Sequence, residues 1–348
     1  MITPPQSFPA TATPDERLLA LRGLITRLKL DPKRPILLGP WRSELGFEVL
    51  YWIPFLRWLS TQVKGLDQRA CVVTRGGVAP LYASVASQGH DLYALRSVQD
   101  VRRENLADYQ KTAMQKQTVM TDWDQAVLED AAKAQGIGPV FEVVHPAWMY
   151  WALTPYWDDQ AGMRYLSQMT GFEALPKPPK PDGLPDKYVA VKWYGRATFP
   201  YPEPDVSQFI QRICGTMATQ IPIVTVAGGA YDDHVDVPLT GPNVITVPAE
   251  TPERNLIHQA AVIAHAMACV GTYGGTMQMA LRLGVPSVSF WKDFGGTARG
   301  HLGLSQWLAV ATGVPFLVGS MAEINLWQQV AGPMVLPVAV PQPQQVSA

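Results

Sequence analysis

The sequence has few cysteines, no long apolar run and no cluster of basic residues. Its three cysteines are widely spaced in apolar surroundings, which indicates buried thiols in a reducing compartment and argues against a disulfide framework or a zinc site. No apolar run reaches the roughly 20 residues that span a bilayer, and the N-terminus lacks the charged-then-apolar order of a signal peptide. The formal net charge is −1 and the 28 Lys and Arg residues are scattered, which argues against nucleic acid as a partner. We therefore expect a cytoplasmic protein.

Secondary-structure signals repeat on both sides of a proline-rich stretch. Short apolar runs alternate with helical patterns, which predicts an α/β fold with mainly parallel sheets. The stretch "LPKPPKPDGLPDK" then places five prolines in thirteen residues and excludes regular structure. We predict two Rossmann-like domains that face each other across a cleft, at 35–175 and 188–320, with a linker at 176–187.

Both ends of the chain lie outside these domains. Residues 1–34 form an extension whose second half, from Asp15 to Arg34, has one apolar stripe flanked by basic residues and predicts an amphipathic helix. Two interpretations of this helix stay open: it docks on the domain, or it lies on an anionic membrane surface as a peripheral contact. Residues 321–348 are expected to form a last helix, at 321–332, and a loose tail.

The clearest local signal is "ACVGTYGGTMQMALRLGVPSVSFW", in which an apolar strand runs into a glycine-rich turn and then a helix. Free backbone N–H groups and the positive end of the helix dipole converge at such a turn, so it can bind a phosphate. A tight structural turn without a ligand is the alternative. The expected anion site consists of Gly271, Thr272, Tyr273, Gly274, Gly275 and Thr276.

Two basic residues extend this site. Lys192 and Arg196 stand in "VAVKWYGRATF", at and just past the end of an apolar strand. Open α/β sheets bind ligands at the carboxyl ends of their strands. Two cations there could neutralise a diphosphate, although both side chains could instead be ordinary solvated surface residues.

A family resemblance covers well over half of the chain. The span from about 187 to 310, with "NLIHQAAVIAHAMACVGTYGGTMQMALRLGVPSVSFW", resembles the donor-binding half of GT-B glycosyltransferases. The stretch "GPWRSELGFEVLYWIPFLRWL" is similar to the start of some bacterial GT-B-like proteins, where a glycine turn is followed by an acid, a second glycine and a second acid. This resemblance implies transfer of a sugar from a nucleotide-diphosphate donor to a sugar, lipid-linked or small-molecule acceptor. No acid–x7–acid signature of the retaining type is evident, which favours inversion.

Inverting transfer needs a base for the acceptor hydroxyl, and Glu44 is the candidate. It stands in the turn after the first predicted strand, where the carboxyl end of that strand opens toward the cleft. The alternative is helix capping, because an acid near a helix N-terminus gains roughly 0.3–1 kcal/mol from the helix dipole.

Neighbouring residues are candidates for substrate binding. Trp41 could stack on a sugar ring, although tryptophans are by default core residues. Glu48 could contact a substrate hydroxyl or pair with Arg42, and as an acid in an apolar helix it is expected to have a buried partner. Ser43 could support the same turn. His145, at the end of a strand, is a reserve base or a structural residue.

No metal or further cofactor is expected beside the donor. Asp122 and Asp124 have the D-x-D spacing of metal-using enzymes, but after Thr121 they are interpreted as capping residues of a helix. His301 is a weak candidate for the donor phosphate. Two alternatives to a glycosyltransferase remain: a sugar-nucleotide epimerase or hydrolase on the same fold, and a non-catalytic nucleotide-binding protein.

Overall fold

The computed structural model describes residues 11–112, 117–196, 199–228, 234–292 and 298–324. The strands in these ranges are β1 (Ile36–Leu38), β2 (Ala70–Thr74), β3 (Gln88–Asp91), β4 (Glu142–Val144), β5 (Val189–Lys192), β6 (Tyr194–Gly195), β7 (Ile223–Val226), β8 (Val235–Asp236), β9 (Val244–Val247), β10 (Ala268–Thr272), β11 (Ser287–Trp291) and β12 (Phe316–Ser320). The α-helices are α1 (Pro14–Leu30), α2 (Leu45–Phe47), α3 (Ile53–Gln62), α4 (Leu66–Arg69), α5 (Val98–Thr112), α6 (Asp122–Ala134), α7 (Pro146–Trp157), α8 (Met163–Leu166), α9 (Pro204–Ala218), α10 (Asn255–Ala264), α11 (Gly275–Arg282) and α12 (Ala298–Thr312).

Two parallel sheets organise the chain. The first has the order β3-β2-β1-β4 and the second the order β12-β11-β10-β5-β7-β9, while β6 and β8 form a small antiparallel ribbon. The predicted α/β class with two Rossmann-like units is confirmed. Because all strands of a parallel sheet point the same way, the loops after β1, β2, β5 and β10 leave their sheets at the carboxyl edges, where ligands bind in such folds.

A shared hydrophobic core joins the two sheets. One cluster contains buried residues from the first half, such as Trp41, Leu50 and Phe55, and from the second half, such as Met277 and Leu308. Separate smaller clusters cover the outer parts of each sheet. The two halves therefore pack directly on each other.

The helix after β1 contains an irregular turn. A π-helical segment, Glu48–Trp52, separates α2 from α3, and the Ile53 N–H donates to the Glu48 carbonyl five residues back. Pro54 has no N–H and is therefore expected to interrupt or kink this helix. It follows the π-helical segment directly, in the first turn of α3, so the regular α-helix is interrupted just before it.

The N-termini of α2 and α11 lie in contact through glycines. A Cβ atom added to Gly275 would lie 2.8 Å from the backbone nitrogen of Gly46 and 3.2 Å from Cβ of Leu45. Such distances are too short for a side chain at position 275, so this approach needs glycine there. The contact places the turn before α2 directly beside the turn before α11.

Helix α1 docks on the first half. Leu21, Leu24 and Leu28 are buried, and the helix packs against α7. Arg17 donates to the Trp151 carbonyl and lies over the Trp151 ring, 5.1 Å from its centroid. The docking interpretation is confirmed. Among the described residues, no helix combines the length and apolar composition that crossing a bilayer requires.

Several elements differ from the sequence prediction. The sequence predicts a strand at 91–95 and a helix at 79–87. The structure has β3, which ends at Asp91 and is followed by a 3-10 turn at Leu92–Ala94, and only a short 3-10 turn at Ala79–Tyr82. Helices α5 and α12 and strand β12 were not predicted. Helix α5 carries few apolar residues, because only a narrow face of it is buried. Most of the expected helix at 321–332, and the tail after it, lie outside the described residues.

The close contact between β10 and β5 predicts a large effect of Gly271→Ala. Gly271 pairs with Lys192 in the sheet, and a Cβ atom on it would lie 2.6 Å from the Lys192 carbonyl carbon. We expect the free energy of unfolding to fall by about 1–3 kcal/mol, since the strands must move apart. Denaturant unfolding measures this change.

Gly215→Ala is the matched control. Gly215 lies on the exposed face of α9 and has no atom within 4 Å of an added Cβ. Alanine there should raise the free energy of unfolding by about 0.5–1 kcal/mol, because it restricts the unfolded chain and favours the helix. Equal effects of the two substitutions would contradict the packing described for β10.

Candidate active site

A cavity of about 320 Å³ opens between the carboxyl edges of the two sheets. Its walls come from the turn before α2, the loop after β2, helix α5, the loops after β5 and β10, and helix α10. Among the described lining residues basic side chains outnumber acidic ones: the acid is Glu44, and the bases are Arg42, Arg75, Arg102, Lys192 and Arg196. A cavity with this lining favours anionic ligands.

Lys192 and Arg196 form part of the wall that belongs to the second sheet. Lys192 ends β5, and its Nζ donates to the Val226 carbonyl at 3.0 Å and to Oδ1 of Asp236 at 2.8 Å. These bonds fix the direction of a side chain that is almost fully buried. Arg196 is exposed, and its Nη1 lies 3.5 Å from the Tyr273 carbonyl. Both side chains line the cavity.

The glycine-rich turn contributes its last residues to the cavity. Gly275 and Thr276, the first two residues of α11, line it. Their N–H groups precede the first bonds within the helix, which run from Met277 and Gln278 to the Gly274 carbonyl. The cavity therefore receives the positive end of this helix.

The earlier residues of the turn have a supporting place. Gly271 and Thr272 are the end of β10, and the Thr272 hydroxyl bonds to both the N–H and the carbonyl of Tyr194, each at 3.0 Å. Tyr273 is buried. A Cβ atom on Gly274 would lie 2.9 Å from Nη1 of Arg196 and would run into the Tyr194 hydroxyl. Of the six residues expected to hold an anion, these four shape the loop without lining the cavity.

Glu44 is exposed and lines the cavity from the turn before α2. It occupies the N-cap position of α2, but its side chain makes no capping hydrogen bond. Its position at the start of the helix still allows the interaction with the helix dipole that the alternative interpretation requires. Behind it, Arg75 donates from Nη2 to the Ser43 carbonyl, which fixes the turn that carries Glu44.

Arg42 is a buried anchor of the same turn. Its guanidinium lies 2.7 Å from Oδ2 of Asp108 and 3.0 Å from Oδ1 of Asp124, and it donates to Asn105 at 2.8 Å. Burial alone would raise the pKa of Asp124, but His145 and Arg42 outweigh it and hold that pKa below its usual range. The ion pairs tie the turn to α5 and α6. A pairing of Arg42 with Glu48, which the sequence suggested, is wrong.

Glu48 lies in the π-helical segment and is fully buried. Its Oε1 accepts hydrogen bonds from the Thr74 hydroxyl at 2.7 Å and the Tyr82 hydroxyl at 2.6 Å. Burial raises the pKa of Glu48, and Arg75 and these two hydroxyls counteract the effect only in part. The expected buried partner exists, but Glu48 does not line the cavity, so direct contact with a substrate hydroxyl does not fit its position.

Three further candidates support the site from behind. Trp41 is fully buried and stacks between Trp52 and Tyr150, so it cannot stack on a sugar at the cavity mouth. His145 caps α7 by accepting from an N–H, and its Nε2 lies 3.3 Å from Oδ2 of Asp124. It is buried away from the cavity, which fits the structural interpretation. Ser43 lines the cavity, with its hydroxyl 3.0 Å from the Tyr150 hydroxyl.

Several lining residues escaped the sequence analysis. Tyr194 stacks on His234, with ring centroids 4.5 Å apart and an interplanar angle of 11°. Gln259 of α10 is buried at the cavity, and its Nε2 has no hydrogen-bond partner among the described residues. Arg75 directly follows β2, so the rule that found Lys192 would have found it. Arg102 had no such signal, because α5 itself was not predicted.

The acidic motif after Thr121 does not line the cavity. Thr121 and Asp124 form a capping box at the start of α6, as predicted. The stretch "YDDHVD" places two acids near His234, and its sequence favours a solvated loop over a metal site; Asp232 and Asp233 lie outside the described residues. Within the part of the chain that the structure describes, no group of three or more His, Cys, Asp or Glu residues is placed to hold a metal ion. His301 packs away from the cavity, with its Nδ1 2.7 Å from the Tyr51 hydroxyl.

Comparisons with known proteins give weak likenesses. No protein-family model matches the sequence, and no curated protein matches it. A glycosyl transferase family 9 structure from Veillonella parvula DSM 2008 is 13% identical, with a TM-score of 0.43, over 88% of this chain and 91% of that chain. The E. coli heptosyltransferase WaaC with ADP is 12% identical, with a TM-score of 0.41, over 85% and 99%. A UDP-GlcNAc 2-epimerase from Methanocaldococcus jannaschii is 9% identical, with a TM-score of 0.38, over 85% and 91%. At these values the likeness carries no information on substrate or reaction.

The buried position of Asp124 predicts a strong and pH-dependent effect of Asp124→Asn. At neutral pH the free energy of unfolding should fall by about 3–5 kcal/mol, because the buried Arg42 loses one of its two carboxylates. The lowered pKa of Asp124 gives the wild type stability that is complete above the unfolded-state pKa of about 3.9 and is lost as the pH falls below it. Asp124→Asn should lack this part of the acid loss. Denaturant unfolding from pH 7 to pH 3 checks both points.

Asp130→Asn, on the same helix, is the control. Asp130 is half exposed and pairs with Arg96 at the surface, so its loss should cost no more than about 1 kcal/mol. An Asp124→Asn protein as stable as this control would show that the Arg42 anchor is not needed for the fold.

Proposed function

We propose that the protein is a glycosyltransferase, which moves a sugar from a nucleotide-diphosphate donor to an acceptor with inversion and without a metal ion. One observation carries the proposal: within the described lining of one cavity, the acid Glu44 occurs together with a set of anion-binding groups. These groups are Lys192, Arg196 and the start of α11 at Gly275 and Thr276. A base in the same cavity as a site for a leaving diphosphate is what inverting transfer requires.

The donor diphosphate would sit against the start of α11. The N–H groups of Gly275 and Thr276 can donate to phosphate oxygens, and the helix dipole favours their charge. Lys192 and Arg196 would neutralise the charge that develops on the leaving diphosphate. Lys192 is already held in place by Asp236, so it needs little reorganisation when the donor binds.

Glu44 would act on the acceptor. Its carboxylate takes the proton of an acceptor hydroxyl while that oxygen attacks the anomeric carbon of the donor sugar. The bond between the anomeric carbon and the diphosphate oxygen breaks, and its electron pair leaves with the nucleoside diphosphate. The attack comes from the face opposite the leaving group, so the configuration inverts.

A panel of nucleotide sugars tests the proposal against its alternatives. The full-length protein is incubated with UDP-, GDP-, ADP- and dTDP-sugars, with and without a mixture of sugar acceptors. Release of nucleoside diphosphate only with acceptor is expected. Conversion of the sugar nucleotide alone would establish an epimerase or a hydrolase instead. If calorimetry shows that no nucleotide binds, neither the glycosyltransferase nor the epimerase or hydrolase is supported.

Glu44→Gln should separate catalysis from binding. Loss of a general base typically lowers turnover by about 10²–10⁴-fold, whereas the donor contacts on the other wall stay intact. Steady-state rates and nucleotide dissociation constants measure the two effects. Glu129→Gln, at an exposed position of α6, is the control and should change neither. A Glu44→Gln enzyme with wild-type kcat would remove Glu44 from the reaction.

Arg196→Ala should weaken donor binding. A charge-assisted contact to phosphate contributes about 1.5–3 kcal/mol, which corresponds to a dissociation constant raised about ten- to a hundredfold. Arg212→Ala, on the outer face of α9, serves as the control. Isothermal calorimetry with nucleoside diphosphates, with and without EDTA, checks the effect and the expected independence of metal. Equal affinities of the two variants would place the diphosphate elsewhere.

A further inference from the structure

Gln259 is a buried polar residue in the lining of the cavity. It lies on α10, and only 2% of its surface is exposed. Its Nε2 has no hydrogen-bond partner among the described residues. A buried donor without a partner destabilises a folded protein, and native structures contain few of them. An ordinary core position would carry an apolar residue instead.

Asn255, one turn earlier on the same helix, shows the usual arrangement of a buried amide. Its Oδ1 accepts from the N–H of Glu250 at 3.2 Å, and its Nδ2 donates to the Gly228 carbonyl at 2.6 Å. Asn255 is as buried as Gln259, but it does not line the cavity. The protein therefore satisfies the amide outside the lining, whereas the amide in the lining keeps an unused donor.

Helix α10 contacts both halves of the candidate active site. The Ile257 N–H donates to the Gly76 carbonyl at 2.9 Å, and a Cβ atom on Gly76 would lie 2.7 Å from Cγ of Leu256. Gly76 belongs to the loop after β2, which also donates a hydrogen bond to the turn with Glu44. In the second half, α10 packs against α11, whose first residues line the cavity. Gln259 thus shares one cavity with the candidate base and with the proposed diphosphate site.

We propose that the amide of Gln259 binds a hydroxyl group of the sugar that is transferred, and that it thereby selects the donor. The inference rests on the proposed function, in which this sugar occupies the cavity that contains both the base and the diphosphate site. Positive groups serve the diphosphate in that function. An uncharged amide suits the uncharged part of the donor, because a few placed polar groups orient a ligand in such a cavity.

A hydroxyl group matches either orientation of the amide. It can accept a hydrogen bond from Nε2 and donate one to Oε1, and a half-turn about the last side-chain bond exchanges these two atoms. A site built to bond a hydroxyl rejects an analogue without it, because the buried amide is then left unpaired in the complex. We therefore expect Gln259 to distinguish sugars by a particular hydroxyl.

The two amides of α10 give a matched pair of variants for stability. Gln259→Met keeps the length of the side chain and removes the unpaired donor, so the Tm of the protein without ligand should rise by about 2–4 °C. Asn255→Leu also removes an amide, but it leaves the backbone groups of Glu250 and Gly228 without their partner, so the Tm should fall. Thermal unfolding of the full chain measures both shifts.

Calorimetry on the full chain then compares UDP-glucose, ADP-glucose, GDP-mannose and dTDP-glucose with the corresponding nucleoside diphosphates. The ratio of the two dissociation constants isolates the contribution of the sugar. Gln259→Met should raise this ratio about three- to tenfold for at least one donor, as for loss of a neutral hydrogen bond, and leave the diphosphate affinity unchanged. One monodeoxy form of that donor should bind the wild type more weakly by the same factor and show no further loss with Gln259→Met. Gln211→Met, at an exposed position of α9, is the control and should change neither quantity.

Three results would overturn the proposal. A Tm lowered by Gln259→Met would show that the protein already satisfies the amide. An unchanged ratio with every probe would separate Gln259 from the sugar, and equal weakening of diphosphate and nucleotide sugar would assign the amide to the nucleotide. The proposed function fails by a different result, in which neither a nucleoside diphosphate nor a nucleotide sugar binds the wild type, and the inference would then fall with it.

Discussion

The buried guanidinium of Arg42 is the contact on which the first half of the site depends. It joins the turn after β1 to α5 through Asn105 and Asp108, and to α6 through Asp124. Asp124 in turn lies beside His145 at the start of α7. A charge buried to this degree is stable only when its partners are all in place. The turn that carries Glu44 and the helix that carries Arg102 are therefore positioned by one residue that makes little contact with solvent.

The two halves meet through a backbone contact beside the cavity and through a shared core behind it. Gly46 and Gly275 allow the first turns of α2 and α11 to touch, and the shared core behind them contains side chains from both sheets. The cavity lies beside this contact, at the carboxyl edges of the two sheets. Its small size follows from this packing, and its polarity follows from the strand ends that surround it.

The sequence predicted the fold class and the second-sheet wall better than the first. Apolar runs ending in "KWYGR" and "GTYGGT" identify strand ends, and strand ends in a parallel sheet share one edge. Which residues of such a turn face outward depends on contacts from distant segments: Tyr194 covers Gly274, and Thr272 bonds to the β5–β6 connection. No local pattern contains that information.

The wall that carries Glu44 was harder to predict because its residues form ion pairs and ring contacts with segments that are distant in the sequence. Asp124 looked like a capping residue, and it is one, but it also pairs with Arg42, 82 residues away. Trp41 stood next to the expected mouth, yet the stacking of three aromatic rings draws it into the core. Helix α5 has too few apolar residues for a clear periodic signal, although it carries Arg102.

The π-helical segment Glu48–Trp52 sets the rotation of the turn that carries Glu44 relative to helix α3. Each residue of an α-helix turns the chain by about 100°, and a π-helical turn holds additional backbone within the same run. Loss of one residue there would rotate the turn with Glu44 to another side of the helix while α3 kept its packing. The irregular turn thus fixes the rotation between the two ends of one continuous helix. Trp52 and Phe55 are buried toward one end, and the carboxylate of Glu44 lies at the cavity at the other.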